Sequence, residues 1–224
     1  MAITLAFDVY GTLIDTAGVI TLLEQYVGSE ASAFACLWRD KQLEYSFRRG
    51  LMKAYQPFHI CTRDALDYTA TFFHKNLKPS EKDKLMGEYQ ILPPFPDVEE
   101  GLSPLKSSGF SLFAFSNGLG EDVRSLLQNA KIAHYFKDII SVDEVKTFKP
   151  APEVYRHLLD RTGTVAHDTW LISSNSFDII GALSTGLSAA WVKRSADATF
   201  DPWDVKASIT VSSIKELQER IIIK

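Results

Sequence analysis

The sequence is short of what several function classes require. It has two cysteines, Cys36 and Cys61, too few for a disulfide framework or a four-cysteine zinc site. Both read as structural thiols of a reducing compartment. Positive charge is not in excess: 24 Lys+Arg against 28 Asp+Glu gives −4 at pH 7. That argues against a nucleic-acid partner, yet leaves room for a small anion in a locally cationic site. No apolar run approaches the roughly 18 residues of a membrane helix. No Lys or Arg precedes Asp8, as the start of a secretory signal would require. The expectation is a cytoplasmic protein with no membrane partner. With 12 Gly and 9 Pro, collagen-like and low-complexity readings fall away, and no internal repeat is visible.

What is present is an alternation of short apolar runs and amphipathic helices, in 224 residues of which 46% are hydrophobic. That length is about one and a half average domains. Runs at Ile3–Phe7, Ser111–Phe115, Asp138–Ser141, Thr169–Ile172 and Ala189–Val192, with a weaker one at Ser208–Val211, read as strands buried on both faces. Val123, Leu126, Leu127 and Ala130 recur at helical spacing, as do Val154 and Leu158 after Pro150 and Pro152. Ile214, Leu217 and Ile221 predict a terminal helix capped by Ser212 or Ser213. Strands alternating with helices predict a doubly wound, parallel α/β sheet.

The first alternation is interrupted. Residues 15–95 read as helix only. Phe34, Leu37, Trp38 and Tyr45 share one face, and Leu66, Ala70, Phe73 and Leu77 another. Ser80, with Asp83 three residues on, reads as a helix cap, and Pro93-Pro94-Phe95-Pro96 stiffens the return to the sheet. The expected division is a core of residues 1–14 and 96–224 with an inserted all-helical cap, 15–95. The cap is electrically balanced, with 10 basic and 10 acidic residues, so the net −4 lies on the sheet portion. Between Arg194 and Lys206, Trp203 reads as the anchor of an otherwise uninformative loop.

In an open parallel sheet, ligands sit beyond the carboxyl ends of the strands where strand order reverses. Four places meet that rule: Asp8 followed by Tyr10, Gly11 and Thr12; Ser116-Asn117-Gly118; Lys149-Pro150; and Ser173-Ser174-Asn175 with Asp178. Singly, each reads as a turn or an exposed helix start. Together they collect two carboxylates, a hydroxyl and an ammonium at one sheet edge.

The order FDVYGTL (7–13), SNG (116–118), Lys149-Pro150 and SSNSFDIIGA (173–182) resembles the haloacid dehalogenase superfamily, over nearly the whole chain. Phosphatases of that superfamily carry Asp-x-Asp where this chain has Asp8-Val9-Tyr10. A tyrosine is no magnesium ligand, and with a reference pKa of about 10 it is a poor acid at neutral pH. The pattern is similar to the L-2-haloacid dehalogenases, and so is LWRDKQLEYSF (37–47), which brings in Arg39.

The resemblance implies a Rossmann-like core, no cofactor and no metal. It implies hydrolysis of L-2-haloalkanoic acids to D-2-hydroxy acids through an ester on Asp8. Lys149 would be the counter-ion of Asp8, with Thr12 and Tyr155 holding the arrangement. Ser116 and backbone amides near Tyr10 would bind the substrate carboxylate. Arg39 and Asn117 would stabilise the leaving halide. Tyr10, Leu43, Phe58 and Phe177 would shape the alkyl pocket, with Phe177 where some dehalogenases have tryptophan. Asp178 would activate water placed by Ser173 and Asn175, with Lys149 as the other candidate for that task. The implied partners are a small 2-halocarboxylate, a halide product and a second copy of the chain. A metal-dependent phosphatase and a hydrolase opening a strained ring on a small carboxylic acid are the alternatives. A signalling module with Asp8 as a modified residue fits the full set of Ser116, Lys149 and Asp178 less well.

Overall fold

A computed structural model describes residues 3–221. Six strands, β1 (Thr4–Asp8), β2 (Ser111–Ser116), β3 (Asp138–Ser141), β4 (Thr169–Ser173), β5 (Ser188–Val192) and β6 (Ile209–Val211), form one parallel sheet in the order β3-β2-β1-β4-β5-β6. Every residue of β1 and β2 is buried. Side chains alternate across a strand: Leu5, Phe7, Leu112 and Ala114 pack into one hydrophobic cluster, and Ala6, Phe113 and Phe115 into the other. The runs are unbroken in hydrophobicity because both faces are covered. The chain leaves β1 toward β2 and β3, then crosses back to β4, β5 and β6. Strand order therefore reverses beside β1, and Asp8, Ser116 and Ser173 are the last residues of the three central strands.

Between β1 and β2 lie α1 (Ile20–Val27), α2 (Ala31–Leu51), α3 (Phe58–Phe72), α4 (Pro79–Glu88) and α5 (Val98–Ser107). The buried stripe of α2 is Phe34, Trp38, Gln42 and Ser46, at a spacing of four. Leu37 and Tyr45 are half-buried flanks. The Trp38 indole donates to the Thr62 carbonyl at 2.8 Å, tying α2 to α3. Among the described residues, no helix is long and apolar enough to cross a membrane. The remaining helices are α6 (Gly120–Asn129), α7 (Pro152–Thr162), α8 (Ser176–Ser184) and α9 (Leu217–Arg220).

Two helix ends depart from the sequence reading, and the terminal helix keeps its expected cap but is shorter than expected. Ser80 does not cap α4: Pro79 is its first residue, and the Lys78 N–H donates to Glu81 at 2.8 Å. Proline suits that first position because it has no N–H to satisfy there. Helix α3 stops before Leu77, since His74 takes a left-handed φ of 54° and turns the chain away. Leu77 is buried in the connection. The terminal helix is one 3₁₀ turn, Ile214–Glu216, running into the short α9, with Ser213 as its cap.

That cap is anchored from the start of α5. Asp97 accepts from the Ile214 N–H at 2.7 Å, the Ser213 hydroxyl at 2.8 Å and Arg194 at 2.7 Å. Burial alone would raise the Asp97 carboxyl, but these donors outweigh it and hold it below its ordinary 3.8. A depressed carboxyl contributes stability above its unfolded pKa and loses it as pH falls through the folded one. Asp97→Asn is therefore expected to lose about 2 kcal/mol at neutral pH. Urea unfolding should show that gap persisting down to about pH 3.8 and closing in stronger acid. A gap independent of pH would mean that the carboxylate charge contributes nothing.

Candidate active site

Strand β1 delivers Asp8 to the sheet edge, 7% exposed. Its Oδ2 accepts from Thr12 Oγ1 at 2.8 Å, Asn175 Nδ2 at 2.8 Å and Ser173 Oγ at 3.2 Å. Its Oδ1 accepts from Lys149 Nζ at 3.0 Å. The Lys149 ammonium is 1% exposed and fully engaged. It also donates to the Phe115 carbonyl at 2.9 Å and to Asp178 Oδ2 at 2.8 Å. Asp178 is wholly buried below, its Oδ1 accepting from the Tyr155 hydroxyl at 2.7 Å. Burial disfavours an ammonium, but the carboxylates of Asp178 and Asp8 outweigh it and hold Lys149 above its ordinary value. Burial raises Asp178 against the pull of Lys149, with Asp8 adding to the rise.

A narrow pocket opens over this cluster. Asp8, Lys149 and Asn175 line it from the core, with Ser116 and Asn117 after β2. The Asn117 carbonyl oxygen accepts from the Lys149 backbone N–H at 3.1 Å, which leaves its NH₂ as a donor. From the inserted helices come Arg39, Leu43 and Phe58, and Tyr10 and Phe177 complete the wall. Burial pushes the Tyr10 phenol far above its ordinary value, so it stays neutral. The structure thus brings ten of the fourteen sequence-derived residues to one cavity. Thr12, Tyr155, Ser173 and Asp178 lie outside that lining, hydrogen-bonded to Asp8 or to each other.

Two contributors were not visible in the sequence. Gln42 is wholly buried. Its Oε1 accepts from Arg39 Nη1 at 2.5 Å, and its NH₂ donates to Thr62 Oγ1 at 2.6 Å. Arg39 also reaches the Tyr10 carbonyl at 3.3 Å, so its guanidinium is held from both parts of the fold, insertion and core. A glutamine three residues after an arginine is an ordinary helix-surface pattern, and only tertiary burial distinguishes it. The second is Gly181, where an added Cβ would collide with the Tyr155 hydroxyl and Pro150. Its lack of a side chain lets α8 approach α7 closely enough for Tyr155 to reach Asp178.

Trp203 corrects the sequence reading: it is 66% exposed and anchors nothing. Its loop is held instead by Phe200, packed edge-on against Trp191 at 5.2 Å between ring centres. Cys36 is exposed and Cys61 buried, both as free thiols.

The donors at Asp8 do not suit a bound divalent metal. Lys149 occupies the position between the two carboxylates, residue 10 is tyrosine, and no group of three His, Cys, Asp or Glu side chains converges among the described residues.

The chain matches the family model of haloacid dehalogenase-like hydrolases over residues 5–192. It is 35% identical over 211 residues to (S)-2-haloacid dehalogenase 2 of Pseudomonas sp. (strain CBS-3), covering 94% of this chain and 92% of that protein. It is 35% identical over 188 residues to (S)-2-haloacid dehalogenase 4A of Burkholderia cepacia, covering 84% and 81%. Its structure is similar to that of the L-2-haloacid dehalogenase from Xanthobacter autotrophicus with chloropropionic acid covalently bound. There the TM-score is 0.92 at 28% identity, covering 98% of each chain.

Proposed function

The chain belongs to the haloacid dehalogenase-like hydrolases, and from that premise we propose that it hydrolyses the carbon–halogen bond of L-2-haloalkanoic acids, giving D-2-hydroxy acids. The observation that carries the reading is Asp8. It is a carboxylate on the floor of a small pocket, faced by an ammonium and not by a metal-binding acid cluster.

The steps follow from the donors. Oδ2 already accepts three hydrogen bonds, which leaves Oδ1 the more available nucleophile. It attacks the carbon bearing halogen from the side opposite the halide. A C–O bond forms, the C–X bond breaks with its electron pair on the halide, and the centre inverts. Ser116 and neighbouring amides hold the substrate carboxylate, while Tyr10, Leu43, Phe58 and Phe177 enclose the alkyl group. Arg39 and the Asn117 NH₂ stabilise charge developing on the halide. Water, oriented by Ser173 and Asn175, then attacks the ester carbonyl carbon and frees the 2-hydroxy acid. One water oxygen remains on Asp8. Of the two water protons, one ends on the alkoxide oxygen released from the ester. The other goes to Asp178, whose proton affinity burial raises. It is relayed by the Lys149 ammonium, which gives a proton to Asp178 as it accepts one, and it leaves as H⁺ once Asp8 is again a carboxylate.

Residues 15–95 act as the cap in this scheme, supplying Arg39 and closing the pocket. A homodimer and a cytoplasmic setting complete the reading, and sedimentation velocity tests the first.

The deciding experiment is halide release from L- and D-2-chloropropionate. Release from the L isomer, with D-lactate as product, is expected. Release only of phosphate, from a phosphate ester with magnesium, would favour the phosphatase alternative. Two variants test the halide site. Arg39→Ala should lower kcat by about 100-fold. Gln42→Leu, which leaves Arg39 in place without its acceptor, should lower it by about tenfold, more for chloride than for the better-leaving bromide. An equal loss for both halides would remove Gln42 from halide departure.

A further inference from the structure

Two stretches of chain join the sheet to the inserted helices, and they cross side by side. The Asp15 N–H donates to the Pro93 carbonyl at 2.8 Å, and the Phe95 N–H to the Leu13 carbonyl at 3.0 Å. Ile14 and Pro94 form an antiparallel bridge between them. The outgoing stretch starts at Asp8, so the turn from Val9 to Ile14 lies between the nucleophile and the crossing. In that turn the Val9 carbonyl accepts from the N–H groups of Thr12, Leu13 and Ile14, and the Gly11 N–H donates to the Ile14 carbonyl. No donor of the turn serves the Thr12 carbonyl. Thr12 is wholly buried, and a buried carbonyl is costly to leave unpaired.

Its donor is Arg194, two residues past the end of β5. Arg194 Nε donates to the Thr12 carbonyl at 3.2 Å, and Nη2 donates to the same oxygen. Nη1 donates to Asp97 Oδ1 at 2.7 Å, and the guanidinium lies 4.2 Å from the centre of the Phe95 ring. One planar group therefore holds the outgoing stretch at Thr12 and the returning stretch at Phe95 and Asp97. Strand β5 stands two places from β1, about 9–10 Å at the usual strand spacing, which calls for a long side chain. A lysine has the length, but its ammonium lacks the flat fork that serves a carbonyl and a carboxylate while stacking on a ring.

Thr12 passes this hold on to the nucleophile. Its hydroxyl donates to Asp8 Oδ2 at 2.8 Å and accepts from the Ser174 N–H at 2.8 Å. We propose that Arg194 is a positioning residue for dehalogenation: by gripping the Thr12 carbonyl it fixes the hydroxyl that orients Asp8, and it ties that turn to the root of the inserted helices. This rests on the dehalogenase reading for what happens at Asp8. Arg194 is not part of the catalytic pocket lining, so it acts through Thr12.

Two variants separate position from stability. Arg194→Met removes both donors to Thr12. Asp97→Asn removes the charge of the ion pair but leaves those donors, and an acceptor for Nη1, in place. Single turnover of L-2-chloropropionate reads the attack by Asp8 as a halide burst. The burst should slow by about tenfold in Arg194→Met, with KM within about twofold of the wild type, because Ser116 is untouched. Asp97→Asn should keep the wild-type burst although it melts lower. Hydrogen exchange of residues 9–14 should quicken in Arg194→Met and not in Asp97→Asn. Should Arg194→Met not fold, Arg194→Lys keeps the cation without the fork, and it should show the faster exchange and a burst slowed several-fold. A wild-type burst in the Arg194 variants overturns the proposal. So does an equal slowing in Asp97→Asn, or unchanged exchange at residues 9–14. A wild type that releases no halide would sink the dehalogenase reading instead, and the exchange would still decide whether Arg194 holds the turn.

Discussion

Asp8→Asn is expected to lower halide release by on the order of 10⁴-fold or more, because an amide cannot form the ester on which both steps depend. The fold should survive. The amide keeps an oxygen to accept from Thr12, Ser173 or Lys149, whose distances to the native carboxylate are 2.8, 3.2 and 3.0 Å. Lys149 also retains its pair with Asp178 at 2.8 Å. A melting temperature that stays within a few degrees of the wild type therefore separates lost chemistry from lost structure. The native enzyme supplies the positive counterpart. In a single turnover in ¹⁸O water, label should enter the Asp8 carboxylate while the product hydroxyl stays ¹⁶O. Label in the product hydroxyl from the first turnover would mean that water attacks carbon directly, with Asp8 as base.

Lys149→Met should remove activity and also damage the fold. The ammonium is the cation between two buried carboxylates, at 3.0 Å from Asp8 and 2.8 Å from Asp178. Deleting it leaves like charges facing each other out of water, a loss of about 3–5 kcal/mol. Turnover should fall by about 10³-fold. The double variant Lys149→Met/Asp178→Asn separates the two effects: with one carboxylate neutralised, much of the stability should return, but not the activity. Return of activity with the fold would make both Lys149 and Asp178 purely structural.

The pH dependence of the wild type has a definite sign. A lysine whose folded pKa is raised contributes its stability fully below its unfolded value, 10.5, and loses it as pH rises through the folded one. Unfolding measured from pH 8 upward should show the native protein losing this contribution only above about pH 10.5. The double variant, which lacks the ammonium, should lack that alkaline step.

The sheet was legible because its cause is local. Short apolar runs, buried on both faces, can do little else in a chain of this kind, and the six strands lie within about one residue of where the runs place them. The candidate site was legible for a related reason. A parallel sheet puts its ligand at the carboxyl ends of its strands, so Asp8, Ser116 and Ser173 could be found by asking which residues end strands. Helix ends were less legible. Ser80 has the chemistry of a cap, but Pro79 had already started α4. Trp203 has the size of an anchor, but Phe200 took that place against Trp191.

What the sequence by itself determined, then, is the alternation of elements, the all-helical insertion, and the chemical types gathered at the sheet edge. These follow from short-range spacing and from one topological rule. What only the tertiary structure decided is direction and depth. It aimed Arg39 into the pocket, buried Gln42 beneath it and left Trp203 in the open. It set Asp178 below Lys149, outside the pocket lining. It also gathered Asp83, Glu121 and Asp122 around one neighbouring cavity and Phe47, Leu51 and Trp203 around another. Side-chain direction depends on which surfaces meet across long stretches of chain, and no local spacing encodes that. The −4 of the composition is such a case. As a sum it argued against a nucleic-acid partner, but the placement of Arg39 and Lys149 makes this acidic chain suitable for a small organic anion.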